Sequence, residues 1–133
     1  MSKPQAHIRI DFPDGVSIGP GKITLLEWIE RSGSLSAAGR ALGMSYRRAW
    51  LLLHSVNDSF VEPSVEFTVG GKEGGGAQLT DFGRKLIASY RAFETSVDAL
   101  AARSFGTLKP ARAAVAEDGK RRRSVSRPLG RKR

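Results

Sequence analysis

Three polar side chains follow a predicted helix cap and could together meet a polyanion. Ser45 is a typical N-cap residue, and Tyr46, Arg47 and Arg48 occupy the helical turn that comes after it. Arginine can bind guanine O6 and N7 through two parallel hydrogen bonds, and hydroxyl groups suit phosphates or base edges. The cluster therefore indicates nucleic-acid contact, although an arginine pair alone also occurs at the solvated start of many helices.

A lysine within a glycine-rich stretch, residues 70–76, offers a second set of cationic and backbone donors. Lys72 would lie at the tip of a hairpin, where Gly74 and Gly75 permit close backbone approach and present N–H groups to phosphates. A nucleotide-binding P-loop is not predicted, because Glu73 follows the lysine and no helix begins directly after it. The stretch is instead typical of the wing beside a DNA-binding helix.

Four further residues are candidates for contact with the phosphate backbone. Ser34 and Ser36 stand at the start of the preceding short helix, and either could cap it. Arg84 and Lys85 lie in the first turns of the last helix, behind the predicted wing. For this arginine and lysine, contact with phosphate and simple solvation are equally good interpretations.

These residues require a helix-turn-helix and a wing to position them. Two helices over 34–58 join at Gly43; Ala38 and Leu42 face the core, and Gly39 lies where the helices approach closely. From Val65 onward, apolar residues alternate with polar ones, which predicts the wing hairpin, 65–79. The second helix of the pair would enter the major groove, and Trp50 is predicted to pack under the wing rather than touch DNA.

Three more elements complete the predicted domain, which spans 1–105. Alternation predicts an N-terminal hairpin over 6–18, and an apolar stripe predicts a helix that starts at Pro20 and ends at Gly33. Thr80 is the expected cap of a long helix, 80–105. The predicted fold class is mostly α with small β hairpins, a winged helix-turn-helix with a long C-terminal helix.

The long helix is the predicted dimerisation element. Its apolar residues recur every three or four positions, and the helix is longer than one small winged domain covers. For a single helix of this kind, packing in its own core is the usual alternative. The residues expected to reach a second subunit are Trp28, Tyr90, Phe93, Val97 and Leu100.

The net charge of +9 is concentrated at one end of the chain. Beyond Leu108, the last 25 residues hold ten of the 22 basic side chains but only two of the 13 acidic ones. Residues 106–133 are poor in large apolar side chains and are predicted to form a disordered basic tail. Such a tail would add non-specific attraction to phosphates or simply solubilise the chain, and it could not select a sequence.

Composition and spacing argue against other functional classes. The absence of cysteine excludes disulfides and thiolate chemistry, and His7 and His54 lie in different elements without partners at metal-ligand spacing. No nucleophile pattern or signal peptide is present, and no apolar run is long enough to span a membrane. We therefore expect a cytoplasmic, nucleoid-associated protein that is not an enzyme and has no cofactor, metal or membrane contact.

Two stretches, GKITLLEWIERSGSLSAAGRALGMSYRRAW and GGKEGGGAQLTDFGRKLI, resemble the N-terminal domain of the ModE-type molybdate-responsive transcription regulators. The likeness covers roughly 18–90 and extends more distantly to LysR-type regulators. It implies a winged helix, a dimer and an inverted-repeat operator, with the helix after Ser45 in the groove and the Lys72 hairpin on the backbone. Full-length members carry molybdate-binding domains, for which this chain has no room. We therefore expect a stand-alone DNA-binding domain without a small-molecule effector site.

Three functions fit these features. The leading prediction is a homodimeric, sequence-specific transcription regulator that binds double-stranded DNA. An architectural, nucleoid-type protein would instead coat DNA through its basic tail with little sequence preference. A winged helix that engages an acidic protein partner is the third possibility.

Overall fold

The first long helix, α1, spans Pro20–Ser32 and forms the centre of the fold. The computed structural model describes residues 3–69 and 76–111 of the chain. Helix α1 ends where Gly33 adopts a φ of 74° and donates its N–H to the Ile29 carbonyl at 2.7 Å. This is the predicted glycine cap. One face of the helix is fully buried and supplies Ile23, Leu25, Leu26 and Ile29 to the core.

A small hairpin precedes α1. Strands β1, Ile10–Asp11, and β2, Ser17–Ile18, pair antiparallel with Ile10 opposite Ile18. The turn between them is a 3-10 segment, Pro13–Gly15. The predicted N-terminal hairpin is confirmed, although its ladder is only two residues long.

Helices α2, Leu35–Ala41, and α3, Tyr46–Asn57, form the predicted helix-turn-helix. Gly43 turns the chain between them with a φ of 70°, and the Met44 N–H binds the Gly39 carbonyl at 2.9 Å. A β-carbon at Gly39 would lie 3.2 Å from the Ala49 Cβ, so glycine permits the close approach of the two helices. Both predicted roles for glycine are confirmed.

Strands β3, Val65–Thr68, and β4, Gly76–Leu79, form the antiparallel base of the wing, with Val65 opposite Leu79. The outer edge of β4 joins the end of α1, because the Ala77 N–H donates to the Gly33 carbonyl at 3.0 Å. The wing is therefore attached to the central helix as well as to the chain that leads into it.

Helix α4 spans Asp81–Phe105 and is capped by Thr80, whose hydroxyl accepts from the Gly83 N–H as predicted. Tyr90 anchors the helix to the rest of the domain. The side chain is 2% exposed, and its hydroxyl donates to the Ile8 carbonyl at 2.6 Å. The molecule is a mostly α winged helix-turn-helix with a long C-terminal helix.

Candidate nucleic-acid interface

The first turn of α3 presents its polar side chains to solvent. The Ser45 hydroxyl accepts from the Arg48 N–H at 3.1 Å, which fixes the start of the helix. Tyr46 is 58% exposed, and Arg47 and Arg48 are also exposed. Because α3 starts at this surface, its positive dipole end points in the same direction as these donors.

Arg47 and Arg48 differ from most other arginines of the fold in having no polar partner among the described residues. Within residues 3–69 and 76–111, neither guanidinium makes a hydrogen bond, an ion pair or a cation–π contact. By contrast, Arg31 lies over the Trp28 ring at 4.6 Å, and Arg40 donates to Ser36 at 3.1 Å. The two arginines of α3 are therefore available to an external acceptor.

The outward face of α3 also carries large apolar side chains that the sequence interpretation did not assign to the interface. Trp50 is 41% exposed and Leu51 is 50% exposed. The buried side of the helix consists of Ala49, Leu53 and Val56, so a helical projection from these three residues places Leu51 outward. That projection was the signal available in the sequence.

Trp50 packs differently from the prediction that it lies under the wing. Its ring stacks on the His54 ring with centroids 3.8 Å apart, and His54 lies 6.3 Å from the ring of Phe67 on β3. The histidine therefore occupies the position next to the wing strand, and the tryptophan remains partly exposed. This arrangement corrects the interpretation of Trp50 as a covered residue.

Asn57, the last residue of α3, fixes this helix to the wing. Its Oδ1 accepts from the N–H groups of Ser64 and Val65 at 2.9 and 3.0 Å, and its Nδ2 donates to the Val65 carbonyl at 3.0 Å. One side chain therefore satisfies three backbone groups at the start of β3. The sequence interpretation did not single out Asn57, because the contact depends on the loop between α3 and the wing.

The helix before α3 supplies the two serine candidates. Ser34, not Ser36, caps α2, and its hydroxyl accepts from the Ala37 N–H at 3.0 Å. Ser36 is exposed and accepts a hydrogen bond from Arg40. Contact of either serine with phosphate remains a prediction.

The tip of the wing, with the candidate residues Lys72, Gly74 and Gly75, lies outside the described residues. So does the basic tail from residue 112 onward. At the base of the wing, the Gly76 N–H donates to the Thr68 hydroxyl at 2.8 Å, which closes the described end of the hairpin.

Arg84 and Lys85 occupy exposed positions in the first turns of α4. The guanidinium of Arg84 forms an ion pair with Asp81 at 2.7 Å and donates to the Leu79 carbonyl at 3.3 Å. In the described part of the chain, the ammonium of Lys85 makes no such contact. Lys85 is therefore the more available cation of the pair.

The predicted dimer residues divide into two groups. Tyr90 is buried by its own domain and is not available to a second subunit, which corrects the prediction for this side chain. Trp28 is half-buried against the core and covered on one face by Arg31. Phe93 and Leu100 are exposed on α4, and Val97 is partly exposed. Only this C-terminal half of the predicted stripe remains open.

Within the part of the chain that the structure describes, no three histidine or acidic side chains gather as a metal site would require. The described helices also include none with the length and apolar character needed to cross a bilayer.

Several curated proteins are similar in sequence to this chain. The chain is 42% identical over 89 residues to the molybdenum transport protein ModE of Azotobacter vinelandii, which covers 67% of this chain and 33% of the relative. It is 46% identical over 83 residues to the molybdenum-pterin-binding protein MopB of Rhodobacter capsulatus, covering 62% and 31%. It is 42% identical over 71 residues to the DNA-binding transcriptional dual regulator ModE of Escherichia coli, covering 53% and 27%.

The chain carries a ModE-type domain. It spans about a third of the length of the curated relatives it matches. No family model matches the chain. The similarity to the ModE relatives confirms, for this domain, the resemblance inferred from the two sequence stretches.

Proposed function

We propose that the chain is a sequence-specific DNA-binding transcription regulator, with α3 in the major groove and the wing on the backbone. The observation that carries this proposal is the pair of exposed guanidiniums of Arg47 and Arg48, which no described residue engages, at the start of the second helix of the helix-turn-helix. Recognition helices contact base edges through residues at this end. Support also comes from relatives named as transcriptional regulators, including the ModE proteins of Yersinia pestis and Haemophilus influenzae.

The test is selection of duplexes from a random library by the purified full chain. We expect enrichment of one sequence, arranged as an inverted repeat. Arg47→Ala should abolish the enrichment, whereas Arg103→Ala, which removes one charge from an exposed position on α4, should not. Enrichment that survives Arg47→Ala unchanged would contradict the proposed role of α3.

Removal of the basic tail distinguishes a sequence-specific regulator from the architectural alternative. Removal of residues 109–133 should lower affinity mainly at low salt and leave the enriched sequence unchanged, because counterion release carries no base information. Loss of nearly all binding would favour a coating protein. Failure to enrich any sequence, together with specific capture of an acidic protein, would favour the protein-interaction function.

We also propose that two copies bind together through the exposed end of the α4 stripe. Phe93 and Leu100 are large apolar side chains that α4 exposes to solvent, and a partner copy would remove them from water. Paired recognition helices would lie about 34 Å apart, one turn of DNA. Sedimentation velocity should show a dimer for the full chain and a monomer for Leu100→Asp. The control is Leu108→Asp, which changes an exposed leucine beyond the end of α4.

We propose that the segment shared with the relatives contributes the DNA contact rather than a molybdate site. The relatives' names refer to molybdenum transport and molybdenum-pterin binding, yet the shared segment is a third of their length. Addition of molybdate is expected to leave the affinity of the full chain for DNA unchanged. Such a regulator would act in the cytoplasm, on nucleoid DNA, and would need no cofactor.

A further inference from the structure

An exposed leucine lies beside Arg47 and Arg48 on α3, and within the described residues it does not belong to the core. Leu51 is 50% exposed, although the helix buries Ala49, Leu53 and Val56 on its opposite side. With about 100° between successive residues of a helix, Leu51 projects near the line of Arg47, one turn earlier. The centre of the outward face of α3 therefore carries an apolar side chain, Leu51, next to a cation, Arg47.

Leu51 lines a shallow surface cleft of about 240 Å³. It is lined by Ser45, Arg47, Arg48, Leu51 and Leu52. The two leucines supply aliphatic surface, and the two arginines supply guanidiniums that no described residue engages. A ligand that suits the cleft must combine hydrogen-bond acceptors with a small apolar group.

The major groove offers that combination on the base edges. Guanine presents the acceptors O6 and N7, and thymine presents its C5-methyl group, which side chains read through apolar contact. We propose that Leu51 is a specificity-determining residue that contacts a thymine methyl next to a base bound by Arg47. This inference rests on the proposed function, because it requires α3 to enter the major groove.

Leu51 suits this role better than Trp50, the other exposed apolar residue of α3. One face of the Trp50 ring is covered by the His54 ring at a centroid separation of 3.8 Å, so part of the indole is already in contact with its own domain. In the described part of the chain, Leu51 belongs neither to the buried core nor to the partly buried residues packed on it. The described residues that line the cleft include two cations and no carboxylate, which suits a polyanion such as DNA.

The test removes the methyl group from DNA and the side chain from the protein, separately and together. Starting from the duplex enriched by the full chain, each thymine is replaced singly by deoxyuridine, and affinity is measured by fluorescence anisotropy. At one thymine in each half-site, we expect the replacement to weaken binding roughly threefold to tenfold, the range for loss of one buried methyl contact. Leu51→Ala should weaken binding to the thymine duplex similarly and abolish the difference between thymine and uracil.

Two further variants control for folding and for loss of an exposed leucine. Leu51→Met keeps an apolar side chain and should retain most of the thymine preference. Leu108→Ala removes an exposed leucine beyond α4 and should retain all of it. Thermal melting of Leu51→Ala should match the unmodified chain, because the side chain is already half in solvent.

Failure of the inference is distinguishable from failure of the proposed function. If no duplex is enriched, the proposed function is wrong and the role of Leu51 fails with it. If a duplex is enriched but uracil affects the unmodified chain and Leu51→Ala equally at every position, only the Leu51 assignment is overturned. The Leu51 assignment is also overturned if Leu108→Ala removes the difference between thymine and uracil.

Discussion

Arg47 and Arg48 at the start of α3, and Arg91 in the middle of α4, place the same chemical group in opposite settings. The first two guanidiniums make no hydrogen bond, ion pair or cation–π contact with a residue that the structure describes. Arg91 binds both carboxylate oxygens of Glu27 at 2.7 and 3.0 Å, Glu94 at 2.8 Å and the Thr24 hydroxyl at 3.2 Å. The comparison distinguishes an arginine that stabilises the fold from two arginines that are available to bind a ligand.

The Arg91 network also explains why this side chain cannot serve as a DNA contact. Hydrogen bonds to Glu27, and then to Glu94, raise the pKa of Arg91 above its ordinary value, so its charge is fixed. The guanidinium is engaged by Glu27 of α1 and Glu94 of α4, so its ion pairs connect these two helices. Basic residues of this domain therefore cannot be counted as equivalent when the binding surface is inferred.

The largest expected effect is on DNA affinity, from the unpartnered arginines. Arg47→Ala and Arg48→Ala should each weaken binding to the enriched duplex by about 1–3 kcal/mol, the range for a bidentate contact to guanine. Neither change should lower the melting temperature, because no hydrogen bond or ion pair with a described residue is lost. Anisotropy competition and melting by circular dichroism measure the two quantities. A lower melting temperature with unchanged sequence preference would reverse the assignment.

The salt dependence sharpens this prediction for each arginine. An arginine on a phosphate should reduce the slope of log affinity against log salt by about one when it is removed, with an equal loss on all sequences. An arginine on a base should reduce the preference for the enriched duplex instead. We expect Arg47 to follow the second pattern, and titrations at several salt concentrations would show which of the two patterns Arg48 follows.

The next effect is on stability, from Arg91. Arg91→Ala should lower the free energy of unfolding by about 1–2 kcal/mol, since it leaves Glu27 and Glu94 without their shared partner in a site that is only partly screened. Denaturant unfolding measures this loss. Arg91→Lys keeps the charge but loses the planar guanidinium that binds both oxygens of Glu27, and should therefore retain only part of the stability lost in Arg91→Ala. Sequence preference of the folded protein should not change, and a changed preference would break the comparison.

A smaller effect is expected from Tyr90, next to Arg91. Tyr90→Phe removes the hydrogen bond to the Ile8 carbonyl and should cost about 1 kcal/mol of stability. Burial, with a contribution from Glu94, raises the pKa of Tyr90 above its ordinary value of 10.0. The folded state therefore retains a proton that the unfolded state loses, and this part of the stability disappears as pH rises through the folded pKa. Ultraviolet titration should show a late-titrating tyrosine that is absent in Tyr90→Phe.

The smallest effect separates the two cations at the start of α4. Arg84→Ala should change stability by less than about 1 kcal/mol, because its ion pair with Asp81 is exposed. Lys85→Ala should weaken binding to all duplexes alike and more than Arg84→Ala does, because only Arg84 is engaged by its own domain. Equal losses for both variants would show that the Asp81 pair does not compete with phosphate.

Local features of this fold could be predicted from the sequence because their causes are local. The caps at Ser45 and Thr80 and the helix end at Gly33 each depend on a few neighbouring residues, and all three are confirmed. The helix-turn-helix and the wing follow from the spacing of those signals. The starting residues of α1 and α3 were predicted for the same reason.

Contacts between distant segments could not be predicted in this way. Helical spacing placed Tyr90 on an apolar face but gave no indication that the segment around Ile8, 82 residues earlier, covers it. Trp50 was assigned to the wing, whereas His54 takes that position. Leu51 could have been recognised, since the buried positions of α3 already excluded it from the core. The sequence did not indicate which segment covers each helix face, because that depends on packing between distant elements.

The three hydrogen bonds of Asn57 have a consequence for the thermodynamics of recognition. They fix the end of α3 to the first residues of β3, so helix and wing base share one relative orientation before any ligand arrives. Conformational entropy that would otherwise be lost on association is already lost during folding. The affinity of such a preorganised surface can therefore remain sensitive to single groups, such as one guanidinium or one methyl.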